Sequence, residues 1–389
     1  MDLSYQLKEI PIPTLKQHPY RLETVLEQSF QKNASDIVFL VGQVPKLRIY
    51  RKMYSFVGKD GEELFQPITL ETINGLITSC TTLQQQAYYR ENLKLNFALE
   101  IPSSRLRINL ARTNGQPSIV MRFIPREIRA ITSLGFPIPG LATDKQPVYE
   151  DIKQLQKGLV LVTGVTGSGK TTTLAALIDL INSTYEKHII TFEDPKEYVH
   201  PQKKSVVEQR ELGLDFLSFS DAIVESLRQA PDVLLLGEIR DEQTAEAAIT
   251  ATETGHVVYS TLHTATATET VQRFVGIFPA NARDRIQNNL ASTLEYVICQ
   301  KLLPRTDGKG LVLAMEVMKC TDNIRNVIRK GEYEKIHSYI QTGGKEKMKL
   351  LDDHVFELFK EGLITAETAI HAVSRQRDMA IRTGFRQLD

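Results

Sequence analysis

The residues Gly164-Val165-Thr166-Gly167-Ser168-Gly169-Lys170-Thr171 match the pattern G-x-x-x-x-G-K-[ST] in full. Their types suit one chemistry, the holding of a polyphosphate. Glycines let successive backbone N–H groups point inward at phosphate oxygens, where side chains would block the approach. A helix starting at the end of the loop adds the positive end of its dipole. Lys170 can reach β- and γ-phosphates, and the Thr171 hydroxyl can ligate Mg²⁺. The expected phosphate-contacting set is Gly164, Thr166, Gly167, Ser168, Gly169, Lys170, Thr171 and Thr172. At average residue usage the bare pattern arises by chance in about one chain in a hundred of this length. The pattern implies binding of a nucleoside triphosphate.

Three further groups of residues could act on that ligand. Glu238 follows the apolar run Val233–Leu236 and Gly237, so at a strand's carboxyl end it could hold Mg²⁺ through water or orient an attacking water. An aspartate usually stands at the metal-contacting position of this element, and here that position is Gly237. Glu193-Asp194-Pro195-Lys196-Glu197 puts three carboxylates into five residues at another strand end. They repel one another unless a cation or a water network separates them, which suits activation of a lytic water. Taken alone, an acidic turn is usually only solvated. His256 and His263 flank the run Val257–Leu262 without a third ligand at metal spacing, so zinc is not expected. They read either as two capping histidines or, for His263, as a sensor of the γ-phosphate or a contact with a neighbouring subunit.

These residues need elements to position them. Leu159–Thr163 is a short β-branched and aliphatic run that reads as a buried strand. Leu174, Leu177, Ile178 and Ile181 then follow at helical spacing. Further strands are expected at His188–Phe192, Val233–Leu236 and Val257–Leu262, with helices at Ser220–Gln229 and Glu242–Glu253. Such alternation implies a mostly parallel sheet with ligands at the carboxyl ends of its strands. Val297–Leu303 and Leu311–Val317 read as a late hairpin, and helices are expected at Asn323–Lys330, Tyr333–Thr342, Lys349–Glu361 and Thr365–Arg377. Before the loop, a helix from about Tyr20 ends before Asn33, Thr69–Tyr89 reads as helical, and strand patterns fill 35–57 and 97–124. The expected organisation is an arm at 1–20, an α+β domain at 21–130 and a Pro/Gly-rich linker at 131–157. An α/β nucleotide-binding core at 158–318 and a helical segment at 319–389 complete it.

Composition bounds the rest. The 389 residues carry 47 Lys plus Arg against 47 Asp plus Glu, so net charge gives no pull toward nucleic acid or an anionic membrane. Cys80, Cys299 and Cys320 lie too far apart for a local zinc ribbon or a disulfide framework. No signal-peptide pattern opens the chain, and no apolar run approaches the ~18 residues that span a bilayer. A cytoplasmic protein is expected, with any membrane association through a partner.

GLVLVTGVTGSGKTTTLAALIDLINS, HIITFEDPKEYVH, APDVLLLGEIRDEQT and TGHVVYSTLHT occur in this order, followed by NIRNVIRKGEYEKIHSYIQTGG. Together they resemble the type II/IV secretion ATPase superfamily, and within it the pilus-retraction ATPases. The resemblance implies a RecA-like P-loop ATPase core behind a PAS-like α+β N-terminal domain. It also implies a homo-hexamer that uses ATP and Mg²⁺ and works against an inner-membrane pilus platform protein. Lys170 and Thr171 match the residues that bind phosphate and Mg²⁺. Glu238 matches the Walker B glutamate, Glu197 the water-activating glutamate of the aspartate box, and His256 and His263 the histidine box; Glu193 opens that acidic box. Arg107, Arg112 and Arg122 are candidates for arginines that reach a neighbour's nucleotide, against a plain reading as cross-strand surface arginines. The chain departs from the family at residues 1–20, at Val38 in place of a histidine, and at Asn323 in place of an alanine.

The resemblance also implies peripheral association with the inner membrane through a partner, without insertion, and no nucleic-acid partner. The alternatives are an assembly, secretion or conjugation ATPase of the same superfamily, a RecA-type nucleic-acid translocase, and a regulator that binds ATP without hydrolysing it. In the C-terminal segment, Ile324, Val327 and Ile328 form one helical face for burial and Arg325 and Arg329 another, either to point at a partner or as on an ordinary surface helix.

Overall fold

The computed structural model describes residues 34–49, 52–56, 65–101, 104–124, 127–136 and 146–385, with isolated positions between 25 and 32. The arm at 1–20 and the first residues of the expected helix from Tyr20 lie outside the described residues, whereas Val25, Leu26, Ser29 and Phe30 are helical. The chain divides into two compact units, one of residues 1–127 with 195–199, the other of 128–194 with 200–389.

In the first unit, strands β1 (Asp36–Leu40), β2 (Lys46–Ile49), β3 (Lys52–Ser55), β4 (Leu95–Ile101), β5 (Ser104–Thr113) and β6 (Gln116–Ile124) form an antiparallel sheet in the order β3-β2-β1-β6-β5-β4. Strict alternation explains its two faces. Leu106, Ile108 and Leu110 of β5 are buried while Arg105, Arg107 and Asn109 are not. The inner face packs on the helix Leu70–Cys80 through Ile73, Leu76 and Ile77. The helical run expected over Thr69–Tyr89 is two helices, Leu70–Cys80 and Leu83–Asn92. Thr82 breaks it, because its hydroxyl accepts from Gln85 N while the Gln85 carboxamide accepts from Thr82 N, a capping box that starts a new helix.

The second unit contains β7 (Gly158–Thr163), β8 (His188–Glu193), β9 (Val206–Glu211), β10 (Val233–Leu236), β11 (Val257–Leu262), β12 (Leu294–Pro304) and β13 (Leu311–Lys319). Their order is β13-β12-β7-β11-β10-β8-β9, parallel throughout except for β13, which closes the edge antiparallel to β12. β7, β10 and β11 are buried at every position, as strands covered by helices on both faces must be. One face packs on the helix Lys170–Thr184 through Leu174, Leu177, Ile178 and Ile181. Several elements are not predicted by the sequence patterns, among them the short helix Tyr149–Ile152 and the helix Gln376–Thr383. β9 is a polar edge strand. The helix Ala267–Gly276 buries Ala267, Thr270, Val271 and Phe274 at i, i+3, i+4 and i+7 behind a Thr266 cap, so its signal was present. The helix Arg283–Thr293 is mostly polar.

Two expected boundaries need correcting. The Pro/Gly-rich composition of 131–157 predicts a linker. Ile131, Phe136, Val148, Tyr149 and Ile152 are instead buried in the second unit's core, and the division falls after Glu127. Proline and glycine marked loops there, but the apolar residues between them pack. The first part of the expected helical segment is likewise continuous with the core: Ile324, Val327, Ile328, Ile336 and Ile340 join the cluster that holds Leu159 and Leu234, whereas Val355, Leu358 and Ala369 pack in a cluster of their own with Leu303 and Ala314.

The helix Leu351–Lys360 covers the open edge of β13, where Met315 N donates to the buried His354 Nδ1. Burial pushes the imidazoles of His354 and His200 down to about 4. The unfolded chain binds a proton on each below its ordinary value of about 6.5, whereas the folded chain binds none until about 4, so stability rises with pH across that window. Urea unfolding should therefore show stability falling as pH drops from 6.5 toward 4. His354→Asn, which retains an acceptor but does not titrate there, should flatten the dependence.

Candidate functional site

The carboxyl ends of β12, β7, β11, β10 and β8 lie side by side, and the polar residues that follow them collect along that edge. Gly164 leaves β7 at φ +143°, with the Gln300 carbonyl and the Ser168 Oγ occupying the space that a Cβ would need. No other residue fits. The loop ends at Gly169, φ +92°, where the helix begins at Lys170. Lys170 is buried, its Nζ 2.8 Å from Gly164 O, 3.4 Å from Val165 O and 3.3 Å from His263 Nδ1. Thr166, Gly167 and Thr171 are exposed, Gly169 and Thr172 half-buried. Ser168 is buried with its Oγ unpartnered, a polar group at the loop that a phosphate oxygen could satisfy.

His263 connects the loop to the next strand end. An ammonium only donates, so Nδ1 accepts from Lys170 and Nε2 carries the proton toward Glu238 Oε1, 3.1 Å away. Glu238 Oε2 in turn accepts from Arg240 Nε at 2.8 Å. Lys170, His263, Glu238 and Arg240 thus form one continuous polar chain. Arg240 carried no signal of its own in the sequence. Gly237 has a packing reason. Its N donates to Phe192 O at 2.8 Å, and a Cβ would lie 3.3 Å from that oxygen and 3.6 Å from Glu193 Cα. An aspartate there would press on the end of β8.

His256 is not part of this cluster, contrary to its expected place among the catalytic residues. It sits at the amino end of β11, a strand length of about 20 Å from His263. Its Nδ1 lies 2.9 Å from Ala251 O and 3.1 Å from Thr254 Oγ1, capping the helix Glu242–Glu253. Of the two readings left open, His256 takes the capping one.

The acidic box divides. Glu193 is buried at the end of β8, its Oε1 accepting from Thr191 Oγ1 at 2.7 Å and Gln209 Nε2 at 3.0 Å. Both of these donors are neutral. Glu197 falls in the segment Pro195–Val199 that packs with the first unit, where its Oε1 is 3.0 Å from Arg107 Nη1.

Register sorts the candidate arginines. Asp36 pairs with Arg48 on β2 and with Arg122 on β6, and Arg122 pairs with Arg107 on β5. Arg48, Arg122 and Arg107 therefore form one row on one face of the first sheet. The buried Asp36 carboxylate sits among them, 2.8 Å from Arg122 Nε and 4.0 Å from Arg48 Nη1. Arg112 falls on the other face by strand alternation, donating to Gly115 O at 3.2 Å and lying over the Tyr89 ring. Arg48 carries no signal in the sequence, because only strand pairing reveals the row.

The C-terminal helix Asp322–Lys330 buries Ile324, Val327 and Ile328 as its spacing requires. Arg325, however, does not point at a partner. Its Nη1 donates to Ala291 O and its Nη2 pairs with Glu295 Oε1, both at 2.7 Å, capping the helix Arg283–Thr293. Arg329 remains exposed.

Among the described residues no group of three or more His, Cys, Asp or Glu side chains could hold a metal alone. The donors present fit Mg²⁺ only as a partner of phosphate oxygens, with the Thr171 hydroxyl at the loop. No helix among the described residues is long and apolar enough to cross a membrane.

The chain is similar to known proteins over most of its length. A family model described as type II/IV secretion system protein matches residues 90–385. A Neisseria gonorrhoeae protein described as a twitching motility protein is 39% identical over 314 residues, 80% of this chain and 82% of that one. The Pseudomonas aeruginosa type IV pilus retractation ATPase PilT is 38% identical over 349 residues, 89% of this chain and 96% of that one. The crystal structure of the pilus retraction motor PilT with bound ADP matches with a TM-score of 0.78 at 37% identity, covering 92% and 98% of the two chains. The site's internal logic is testable by itself. His263→Ala should cut nucleotide turnover about tenfold or more. His256→Ala should leave turnover unchanged and cost about 1 kcal/mol in thermal unfolding, the value of a lost cap.

Proposed function

Because the chain belongs to the type II/IV secretion system protein family, we propose that it is an ATPase motor that drives retraction of a type IV pilus. The observation that carries this reading is the similarity to retraction ATPases over nearly the whole chain, two units included. The polar chain Lys170–His263–Glu238–Arg240 supplies the chemistry. The backbone N–H groups of Gly164–Thr172 would hold the β- and γ-phosphates, and Lys170 would leave its loop carbonyls to neutralise their charge. Mg²⁺, held by the Thr171 hydroxyl and with Glu238 acting through water, would supply further neutralisation. Glu238 or Glu197 orients a water for in-line attack on the γ-phosphate, and His263 keeps Glu238 aligned. Glu193, held by Thr191 and Gln209, steadies the turn that leads to Glu197.

A homo-hexamer is part of the proposal, with Arg107 and Arg122 as the arginines offered to a neighbour's nucleotide and Arg112 set aside by its opposite face. Peripheral attachment to the inner membrane through a pilus platform protein completes it. A PAS-like description of the first unit fits a six-stranded antiparallel sheet with helices on one face. Assembly, secretion and conjugation ATPases are the alternative within the same family, and a nucleic-acid translocase is disfavoured by the balanced charge.

Deleting the gene should leave cells with surplus surface pili that do not retract. Bald cells, or normal pili with lost secretion, would overturn the retraction reading. Lys170→Ala and Glu238→Gln, restored in place of the wild type, should each reproduce the deletion and lower ATP turnover at least a hundredfold. Retained pilus dynamics with either variant would sink the motor altogether.

A further inference from the structure

The carboxyl half of β12 presents alternate side chains to different neighbours. Lys301 and Leu303 face the C-terminal helices, where Lys301 Nζ donates to Ala372 O at 2.7 Å and Leu303 packs near Val355. Gln300 and Leu302 face the helix that follows the phosphate loop. Cys299 is level with Thr163 in the parallel register, which places Gln300 beside Gly164. Its carbonyl oxygen fills the space that a Gly164 Cβ would need. Its carboxamide Nε2 donates to Thr173 Oγ1 at 2.7 Å. Thr173 lies in the first turn of that helix, its N bonded to Gly169 O at 3.0 Å. Leu302 touches the loop's other end, 3.7 Å from the place a Gly169 Cβ would take.

One residue therefore abuts the loop's entry with its backbone, against Gly164, and holds the first turn of the following helix with its side chain, at Thr173. Gln300 is 4% exposed, Thr173 1%, and Gln300 Oε1 is buried with no partner among the described residues. A carboxamide with one half unsatisfied in the core is costly, and an apolar side chain would avoid that cost. The retained contact is the one to Thr173.

We propose that Gln300 is a positioning residue of the phosphate loop, fixing the distance between its entry at Gly164 and the helix start that carries Lys170 and Thr171. Without the Gln300–Thr173 bond the helix start is free to shift against β12, and the inward-pointing N–H groups lose their common focus. The effect falls on phosphate affinity, which depends on all of those groups converging. The inference rests on the reading of the loop as a nucleotide site.

The test is a double-mutant cycle on the full chain, read by calorimetric binding of ADP with Mg²⁺ and by the KM and kcat of ATP turnover. Gln300→Met keeps length and removes the donor. Thr173→Val keeps shape and removes the hydroxyl, and reads the same bond from the other side should Gln300→Met fold poorly. Each should weaken ADP binding about tenfold. The double variant should be no weaker than either single one, because both remove one bond. Thr173→Ser, which keeps the hydroxyl, should bind as the wild type does. KM for ATP should rise by the same factor as the ADP dissociation constant, with kcat changed less. Single variants within twofold of wild type, or effects that multiply, would overturn the role of Gln300. A wild-type chain that binds no ADP would instead overturn the nucleotide reading itself.

Discussion

The close approach of β12 to β7 is the constraint on which the nucleotide-binding unit depends. β7 begins at Gly158 and leads into Gly164, both at positive φ, and at both ends β12 or the end of the helix before it occupies the space of a missing Cβ. Thr293 O and the Glu295 side chain lie against Gly158, and Gln300 O lies against Gly164. Substituting either glycine would add backbone strain to a steric conflict. Because β7 is seated so closely, the loop leaves the sheet in one direction, and the helix Lys170–Thr184 starts where its first N–H groups face the loop.

Charge is managed on the same principle in both units: each cation or carboxylate that could act on a phosphate is held by a partner of opposite or neutral character. Lys170 is held by loop carbonyls and His263, Glu238 by His263 and Arg240, Glu193 by Thr191 and Gln209. In the first unit Asp36 relieves the repulsion between Arg48 and Arg122, and Glu197 takes Arg107. Side chains fixed in this way lose little conformational freedom when a ligand arrives.

Much of this was legible in the residues. The loop, the strands before and after it and the helix Glu242–Glu253 carry local signals, because a buried parallel strand is continuously apolar and a capped helix announces its start. The two histidines illustrate where such reading stops. His256 and His263 flank one strand symmetrically in sequence, and only the direction of β11 in the sheet separates a cap from a site residue. Arg48, Gln300 and Arg325 were illegible or misassigned for a related reason. Their partners Asp36, Thr173 and Glu295 are set by strand register or by helix packing, which no short window contains. The linker at 131–157 misled because loop-forming residues and core residues alternate there.

Arg325 has a mechanical meaning. The helix Asp322–Lys330 is pinned to Glu295 at the start of β12, roughly 16 Å along the strand from Gln300. A pull on that helix is carried by the buried contacts of Ile324, Val327 and Ile328 and by the ion pair at Glu295, and the share carried at Glu295 loads β12 directly. The hydrogen bonds from β12 to β7 and β13 run across the strand axis, so they share the load in shear instead of opening one after another. A strand loaded in this way acts as a tie rod, stiff along the line that ends beside the phosphate loop.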